Sequence, residues 1–131
     1  MKQFLVQEMY PLFTMEVEKQ ETSFTSVSQI IAFLQKCIEQ DELATFITVF
    51  DHYQHTKSLS SGQIGEGILD AQNIVFCFGI TLPSPQSLAV RPRSIGVAEM
   101  EDRFVVTFME APMPVANVAM EGWAKSLIDI N

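Results

Sequence analysis

Apolar and polar side chains alternate over residues 13–18, and this period of two predicts a strand with one buried and one wet face. Residues 43–50 and 73–79 are short runs rich in β-branched and aromatic side chains, which favour strands with two apolar faces. Pro83 and Pro85 follow the third run and interrupt backbone pairing. Residues 81–87 are therefore predicted to form an exposed crossing or a lid.

The pattern after the crossing predicts two further strands that pair with each other. The fourth strand is expected over residues 88–100, with an irregularity at Pro92, and the fifth over residues 103–109. Glu101 and Asp102 form the tight turn between them, so the fifth strand returns antiparallel to the fourth. In strands three to five both sets of alternating positions are apolar or small, so neither face of the sheet is expected to be wet.

Two segments have the spacing of helices that bury one side. Ser26 and Gln29 form a capping box, in which the Ser26 hydroxyl accepts from the Gln29 amide and the Gln29 side chain reaches back. Gly122, within the second segment, costs about 1 kcal/mol relative to alanine. The apolar positions are Val27, Ile30, Ile31, Leu34 and Ile38 in the first segment, and Ala116, Ala119, Met120, Trp123, Leu127 and Ile130 in the second.

The order of elements is β-α-β-β-β-β-α, which predicts an α+β fold in two layers. We expect an antiparallel sheet of about five strands with both helices on one face. The chain of 131 residues is interpreted as a single domain over residues 1–131, large enough to bury about 68% of its unfolded surface. Residues 1–11 form an N-terminal arm, and residues 12–130 form the compact core.

The second face of this sheet needs a cover, because two helices cover only one face. A large exposed apolar face is unusual on a soluble monomer. We therefore expect a homodimer through the second sheet face, since two-fold symmetry lets one patch cover its own copy. The alternative is that residues 1–11 and the long loops cover the face within the same chain.

Composition narrows the class of protein. A hydrophobic fraction of 47% with 18% charged residues excludes disorder. The net charge of −8 argues against nucleic acid and anionic membrane surfaces as partners. We find no apolar run long enough for a transmembrane helix, and the run at residues 4–6 is too short for a signal peptide. Cys37 and Cys77 lie in apolar runs, which is typical of reduced, buried thiols. We therefore expect a cytoplasmic protein. We also expect no cofactor.

The densest cluster of titratable groups follows the second strand, over residues 51–58. His52 and His55 are the two histidines of the chain, and with Asp51 and Cys77 they form a candidate set of ligands for zinc or copper. However, an H-x-x-H pair in a loop lacks the helical i,i+4 geometry of metalloprotease sites. The simpler interpretation is that both histidines are solvated in a loop, so no metal site is assigned. A further interpretation is that one of them acts as a general acid or base, although the sequence shows no nucleophile for it to activate.

Arg91 and Arg93 are expected to project to the same side of an extended segment across Pro92. Two guanidiniums placed in this way bind a carboxylate or a phosphate by bidentate hydrogen bonds. The alternative is that they pair with surplus carboxylates such as Glu99 and Glu101, or with a partner subunit. The crossing before them is no phosphate loop, because it lacks the G-x-x-x-x-G-K spacing.

Trp123 is a further candidate for ligand binding. Gly122 beside it is interpreted as allowing close approach of the final helix to the small residues Ser94, Gly96 and Ala98. Alternatively, the helix stands off the sheet and leaves an apolar cavity lined by Trp123 and strand aromatics.

The strand order, the strand end at residues 51–52, the crossing at residues 78–85 and the meander into a final helix resemble the bacterial domain of unknown function 302 family. The resemblance covers residues 12–127. It implies a fold like the β-α-β4-α group of the TATA-box-binding protein, self-association, and no established activity. The sequence departs from the family in the Gly-rich insertion before Ile68 and in the run at residues 91–93, and no catalytic residue is carried over.

The sequence thus favours a non-enzymatic homodimeric protein that binds a small apolar or anionic ligand, or a protein partner. The candidate cleft lies between the sheet, the final helix and residues 52–58. One alternative is a metal-dependent or acid–base enzyme that uses His52 and His55. Another is a purely structural subunit. The ligand, the reaction and the pathway do not follow from the sequence.

Overall fold

The fold is taken from a computed structural model, which describes residues 2–6 and 10–129. Within these residues no helix is long and apolar enough to cross a membrane. The strands are β1 (Lys2–Val6), β2 (Tyr10–Glu18), β3 (Ala44–Phe50), β4 (Asp70–Phe78), β5 (Arg93–Glu99) and β6 (Arg103–Met109). The α-helices are α1 (Val27–Gln40), α2 (His52–Ser58) and α3 (Pro114–Lys125), and short 3-10 helices span Lys19–Glu21 and Pro85–Val90.

The described strands form one six-stranded antiparallel sheet in the order β1-β2-β6-β5-β4-β3. The predicted α+β class is therefore confirmed. The sheet has one strand more than predicted, because the arm expected over residues 1–11 contains β1, which pairs with β2 along its length. Residues 2–6 show no period of two, so the sequence pattern gave no sign of this strand.

Helices α1 and α3 pack on one face of the sheet, here called the helix face. Buried side chains alternate along the strands beneath them, as the period of two predicts. Burial of each large apolar side chain contributes about 1.5–3 kcal/mol. The buried strand residues of the helix face are Met15, Val17, Ile74, Phe76, Phe78, Ile95, Val97, Phe104, Val106 and Phe108.

The ends of α1 and α3 differ in detail from the prediction. The Ser26 hydroxyl accepts from the Gln29 amide at 3.1 Å, but the Gln29 side chain accepts from the Thr25 amide at 2.8 Å rather than reaching back to Ser26. Helix α3 begins at Pro114, where the missing N–H costs no helical hydrogen bond. It ends at Lys125, and Ile130, which we predicted to continue its apolar stripe, lies outside the described residues.

Two segments were predicted wrongly. The polar run after β3 is the helix α2 rather than a loop, because the Asp51 side chain accepts from the Gln54 amide at 3.0 Å and caps it. The fourth strand begins at Arg93, not at residue 88, and the 3-10 helix Pro85–Val90 occupies the preceding positions. Proline at the start of that helix has the φ angle that a helix requires.

The opposite side of the sheet, here called the second face, is partly polar. In register across it lie Thr14, Thr107, Gly96 and Asn73, and the two threonine hydroxyls are 2.9 Å apart. We expected both faces of the sheet to be apolar, and this expectation is wrong in the middle of the second face, where polar side chains lie. The residues of the second face include Leu12, Thr14, Asn73, Val75, Cys77, Ser94, Gly96, Ala98, Val105, Thr107 and Met109, all half-buried or exposed.

Candidate functional site

A cavity of about 260 Å³ lies where the end of β4, the start of β5 and the start of α3 meet. We call it the arginine cavity, because Arg91 and Arg93 both line it and the rest of its wall is almost entirely apolar. The predicted projection of these two side chains to one side is consistent with this arrangement. The other lining residues are Phe78, Pro83, Ser87, Val90, Ala111, Pro112, Met113 and Ala116.

Arg93 is held in place by the backbone around it. Its Nη1 donates to the Val90 carbonyl at 3.1 Å and its Nη2 to the Met109 carbonyl at 2.5 Å. Burial lowers the pKa of the Arg93 guanidinium from its ordinary value, but a guanidinium remains charged in proteins. Its remaining N–H groups keep a positive charge beside the cavity.

The guanidinium of Arg91 packs against the backbone at Gly79. Its Nη1 donates to the Thr81 carbonyl, and a Cβ added to Gly79 would lie 3.4 Å from its Nη2 and 3.8 Å from the Met113 methyl carbon. Gly79 has φ of 106°, which favours glycine. The chain therefore turns out of β4 at a residue whose positive φ favours glycine, and the Arg91 guanidinium packs beside that turn.

Pairing of these arginines with carboxylates of the same chain, such as Glu99 and Glu101, is not seen among the described residues, and pairing with a partner subunit stays a prediction. In the part of the chain that the structure describes, no carboxylate lies within salt-bridge distance of Arg91 or Arg93. Glu99 pairs with Lys19 at 2.7 Å instead. Among the described residues, neutral carbonyls solvate both guanidiniums, and no carboxylate neutralises their charge.

The opposite wall of the cavity is built by the approach to α3. The Asn117 side chain accepts from the Ala111 amide at 2.8 Å and donates to the Ala111 carbonyl at 2.9 Å. These two hydrogen bonds fix the segment that carries Pro112 and Met113. The amino end of α3, with its partial positive charge, borders the same cavity at Met113 and Ala116.

Trp123 does not line the arginine cavity. Its ring packs on the helix face against Phe76 and Phe78, with centroids 5.8 and 6.3 Å away. Gly122 next to it is exposed, and a Cβ there would meet nothing within 4 Å. The predicted close approach of Gly122 to the small residues of β5 is therefore wrong, because those residues lie on the second face.

His52 and His55 lie on α2 and do not line the arginine cavity. Their rings flank Phe50, with centroids 5.2 and 5.1 Å away, and His52 Nδ1 is 3.3 Å from Asn73 Oδ1. Asn73 is on the second face, five positions along β4 from Phe78 and the cavity, or about 16 Å. The structure thus does not join residues 52–58 to the cleft predicted at the final helix.

The candidate metal ligands are also separated. Asp51 caps α2, and Cys77 lies on β4 four positions beyond Asn73, which is about 13 Å along the strand. Among the described residues, no three His, Cys, Asp or Glu side chains are grouped so that they hold a metal ion. The acid–base and metal hypotheses for His52 and His55 stay predictions.

Sequence reasoning found the two arginines but missed the apolar wall that faces them. Phe78 was assigned to a strand and Ala116 to the apolar stripe of the final helix, whereas Ala111 and Asn117 were not singled out. Pro112 and Pro114 gave the available signal, because they mark a fixed turn between the end of the sheet and the last helix.

Comparisons with known proteins identify a family whose function is unknown. A model described as "Family of unknown function (DUF6858)" matches residues 1–129. No curated protein matches the chain, and no solved structure matches it. Nothing in these findings links the chain to the domain of unknown function 302 family or its TATA-box-binding-protein-like fold, so that resemblance stays a prediction.

Proposed function

The chain belongs to DUF6858, a family of unknown function, and we propose that it binds a small amphipathic anion in the arginine cavity. The observation that carries the proposal is the pair of guanidiniums beside an apolar cavity, with no carboxylate of the described residues in salt-bridge distance. Leaving a partly buried cation without an opposite charge is costly. A carboxylate on a ligand supplies that charge.

The shape and lining of the cavity limit the ligand. Its volume of about 260 Å³ is just below the range of roughly 300–1,000 Å³ typical of sites for drug-sized molecules. The ligand is therefore small. Phe78, Ala111 and Met113 offer no hydrogen bonds from their side chains, so they favour a short hydrocarbon portion over a purely polar ion such as free phosphate.

Isothermal titration calorimetry with hexanoate and 1-hexanol tests this proposal. We expect saturable binding of hexanoate and at least tenfold weaker binding of the alcohol, because a hydrogen bond to a charged group is worth about 1.5–3 kcal/mol. Arg91→Gln should lower hexanoate affinity about tenfold or more for the same reason. Lys57→Gln is the matched control, since it removes one positive charge on α2 and should leave the affinity unchanged.

Two results would count against the proposal. One is equal affinity for hexanoate and hexanol, which would mean that the arginines do not recognise the carboxylate. The other is no hexanoate binding by a protein whose circular dichroism spectrum shows it to be folded.

Self-association is the second candidate function, and a specific surface favours it. Four large apolar side chains cluster around Cys77 at the β3 side of the second face; we call this set the apolar patch. The exposed fractions of these side chains are 49% for Ile47, 81% for Ile80, 64% for Leu82 and 62% for Leu88. We propose that a second copy covers the apolar patch, since exposed apolar clusters mark interfaces.

Light scattering coupled to size exclusion tests self-association. We expect a mass of twice 14.7 kDa at micromolar concentration, and a shift toward the monomer in an Ile80→Ser, Leu82→Ser variant. Val118→Ser is the control, because Val118 is 71% exposed on α3 and is not part of the apolar patch. A wild-type protein that stays at 14.7 kDa over the whole concentration range excludes the dimer.

A further inference from the structure

A second concave site lies on the second face, separate from the arginine cavity. It is a groove of about 410 Å³ over β4, β5 and β6, closed at one end by residues 89–92. We call it the sheet groove and define it by Leu12, Asn73, Ser94, Gly96, Thr107 and Met109. Its volume lies within the roughly 300–1,000 Å³ of ordinary small-molecule sites.

The floor of the sheet groove is flat because of Gly96. A Cβ at this position would lie 3.3 Å from Asn73 Nδ2 and 3.7 Å from the Thr107 methyl carbon. The amide of Asn73 and the methyl of Thr107 thus flank bare backbone on its two sides. The Thr107 hydroxyl is turned away, since it donates to the Phe13 carbonyl at 3.0 Å.

The polar side chains that define the sheet groove are neutral, and those of Asn73 and Ser94 have spare hydrogen-bonding capacity. Asn73 Oδ1 is 3.3 Å from His52 Nδ1, whereas Asn73 Nδ2 and the Ser94 hydroxyl have no hydrogen-bond partner among the described residues. Arg93 borders one end, but two of its guanidinium nitrogens already donate to backbone carbonyls. Asn73 therefore presents a donor beside an acceptor.

We propose that the sheet groove binds a neutral planar ring that carries a cyclic amide. The amide C=O of such a ring accepts from Asn73 Nδ2 while its N–H donates to Asn73 Oδ1, and the ring lies flat on Gly96 between Leu12, Met109 and Pro92. A peptide strand is a poorer occupant, because strand addition needs a free sheet edge. The strands β4, β5 and β6 are paired on both sides.

Nuclear magnetic resonance with 2-pyridone as the probe tests the proposal. We expect saturable shifts of the Asn73 side-chain NH₂ and the Met109 methyl, with the Met100 methyl unmoved. N-methyl-2-pyridone, which cannot donate to Asn73 Oδ1, should bind at least about threefold more weakly. These signals separate the sheet groove from the arginine cavity, which Met113 reports.

Variants make the test specific. Gly96→Ala should weaken 2-pyridone binding about tenfold, because its Cβ crowds Asn73 Nδ2. Ser60→Ala, in the exposed turn after α2, is the control and should leave 2-pyridone binding unchanged. The absence of saturable shifts at both Asn73 and Met109, or equal binding of the N-methyl compound, would overturn the proposal.

Discussion

At the scale of single residues, the arginine cavity lies beside a glycine with a left-handed backbone. Gly79 follows the last residue of β4 with φ of 106°, and a Cβ added to it would make ordinary contact with the Arg91 guanidinium at 3.4 Å. The sequence predicted that Arg91 and Arg93 act together, because side chains two positions apart project to the same side of an extended segment. It did not predict the role of Gly79, because the contact joins residues twelve positions apart.

Replacement of Gly79 by alanine should lower the stability of the fold, because its φ is positive. The left-handed conformation costs an alanine about 1–2 kcal/mol, which urea denaturation measures as a loss in the free energy of unfolding. Gly122→Ala is the matched control. It lies exposed in α3 with nothing near its Cβ, so it should raise the free energy of unfolding by about 0.5–1 kcal/mol. Equal effects of the two substitutions would contradict this account.

Cys37 links stability to pH. Burial raises the pKa of the Cys37 thiol above its ordinary value of 9.0. The unfolded chain therefore loses this proton at lower pH than the folded protein does. The contribution of Cys37 to stability is complete below the ordinary pKa and is lost as the pH rises through the raised pKa. Denaturation at several alkaline pH values should show a smaller loss in Cys37→Ala, and identical profiles would refute this.

At the scale of elements, the sequence predicted those with a strong period. Helix α1 and strand β6 agree closely with their predicted ranges, because each buries one regular set of apolar side chains. Helix α2 was missed, since it buries no residue and depends on the cap by Asp51. The 3-10 helix Pro85–Val90 was also missed, because it too buries no residue. Neither segment therefore has an apolar period that a sequence pattern would reveal.

The cap of α1 gives a prediction at this scale. Ser26→Ala removes the hydroxyl that accepts from the Gln29 amide, and should lower the free energy of unfolding by about 1 kcal/mol. Chemical denaturation followed by circular dichroism measures the change. Ser60→Ala, in the exposed turn after α2, should change stability by less than about 0.5 kcal/mol. A loss in Ser26→Ala no larger than in this control would show that the cap is not stabilising.

At the scale of the whole molecule, one sheet separates two different environments. The helix face is closed by α1 and α3 and ends at the arginine cavity, while the second face carries the sheet groove and the apolar patch. The two-layer class followed from the order of elements. The cavities could not be predicted from the sequence, because residues from distant parts of the chain line each of them. The arginine cavity, for example, is lined by Phe78, Arg93 and Ala116.

The binding of a small amphipathic anion is tested most directly by methyl resonances of the methionines during a hexanoate titration. The Met113 methyl lies in the arginine cavity, the Met109 side chain borders the sheet groove, and Met100 borders neither. We predict a saturable shift of Met113 alone, and in Arg91→Gln a midpoint at about tenfold or more higher hexanoate concentration. A titration in which Met113 does not move, or moves no more than Met100, would contradict the proposed function.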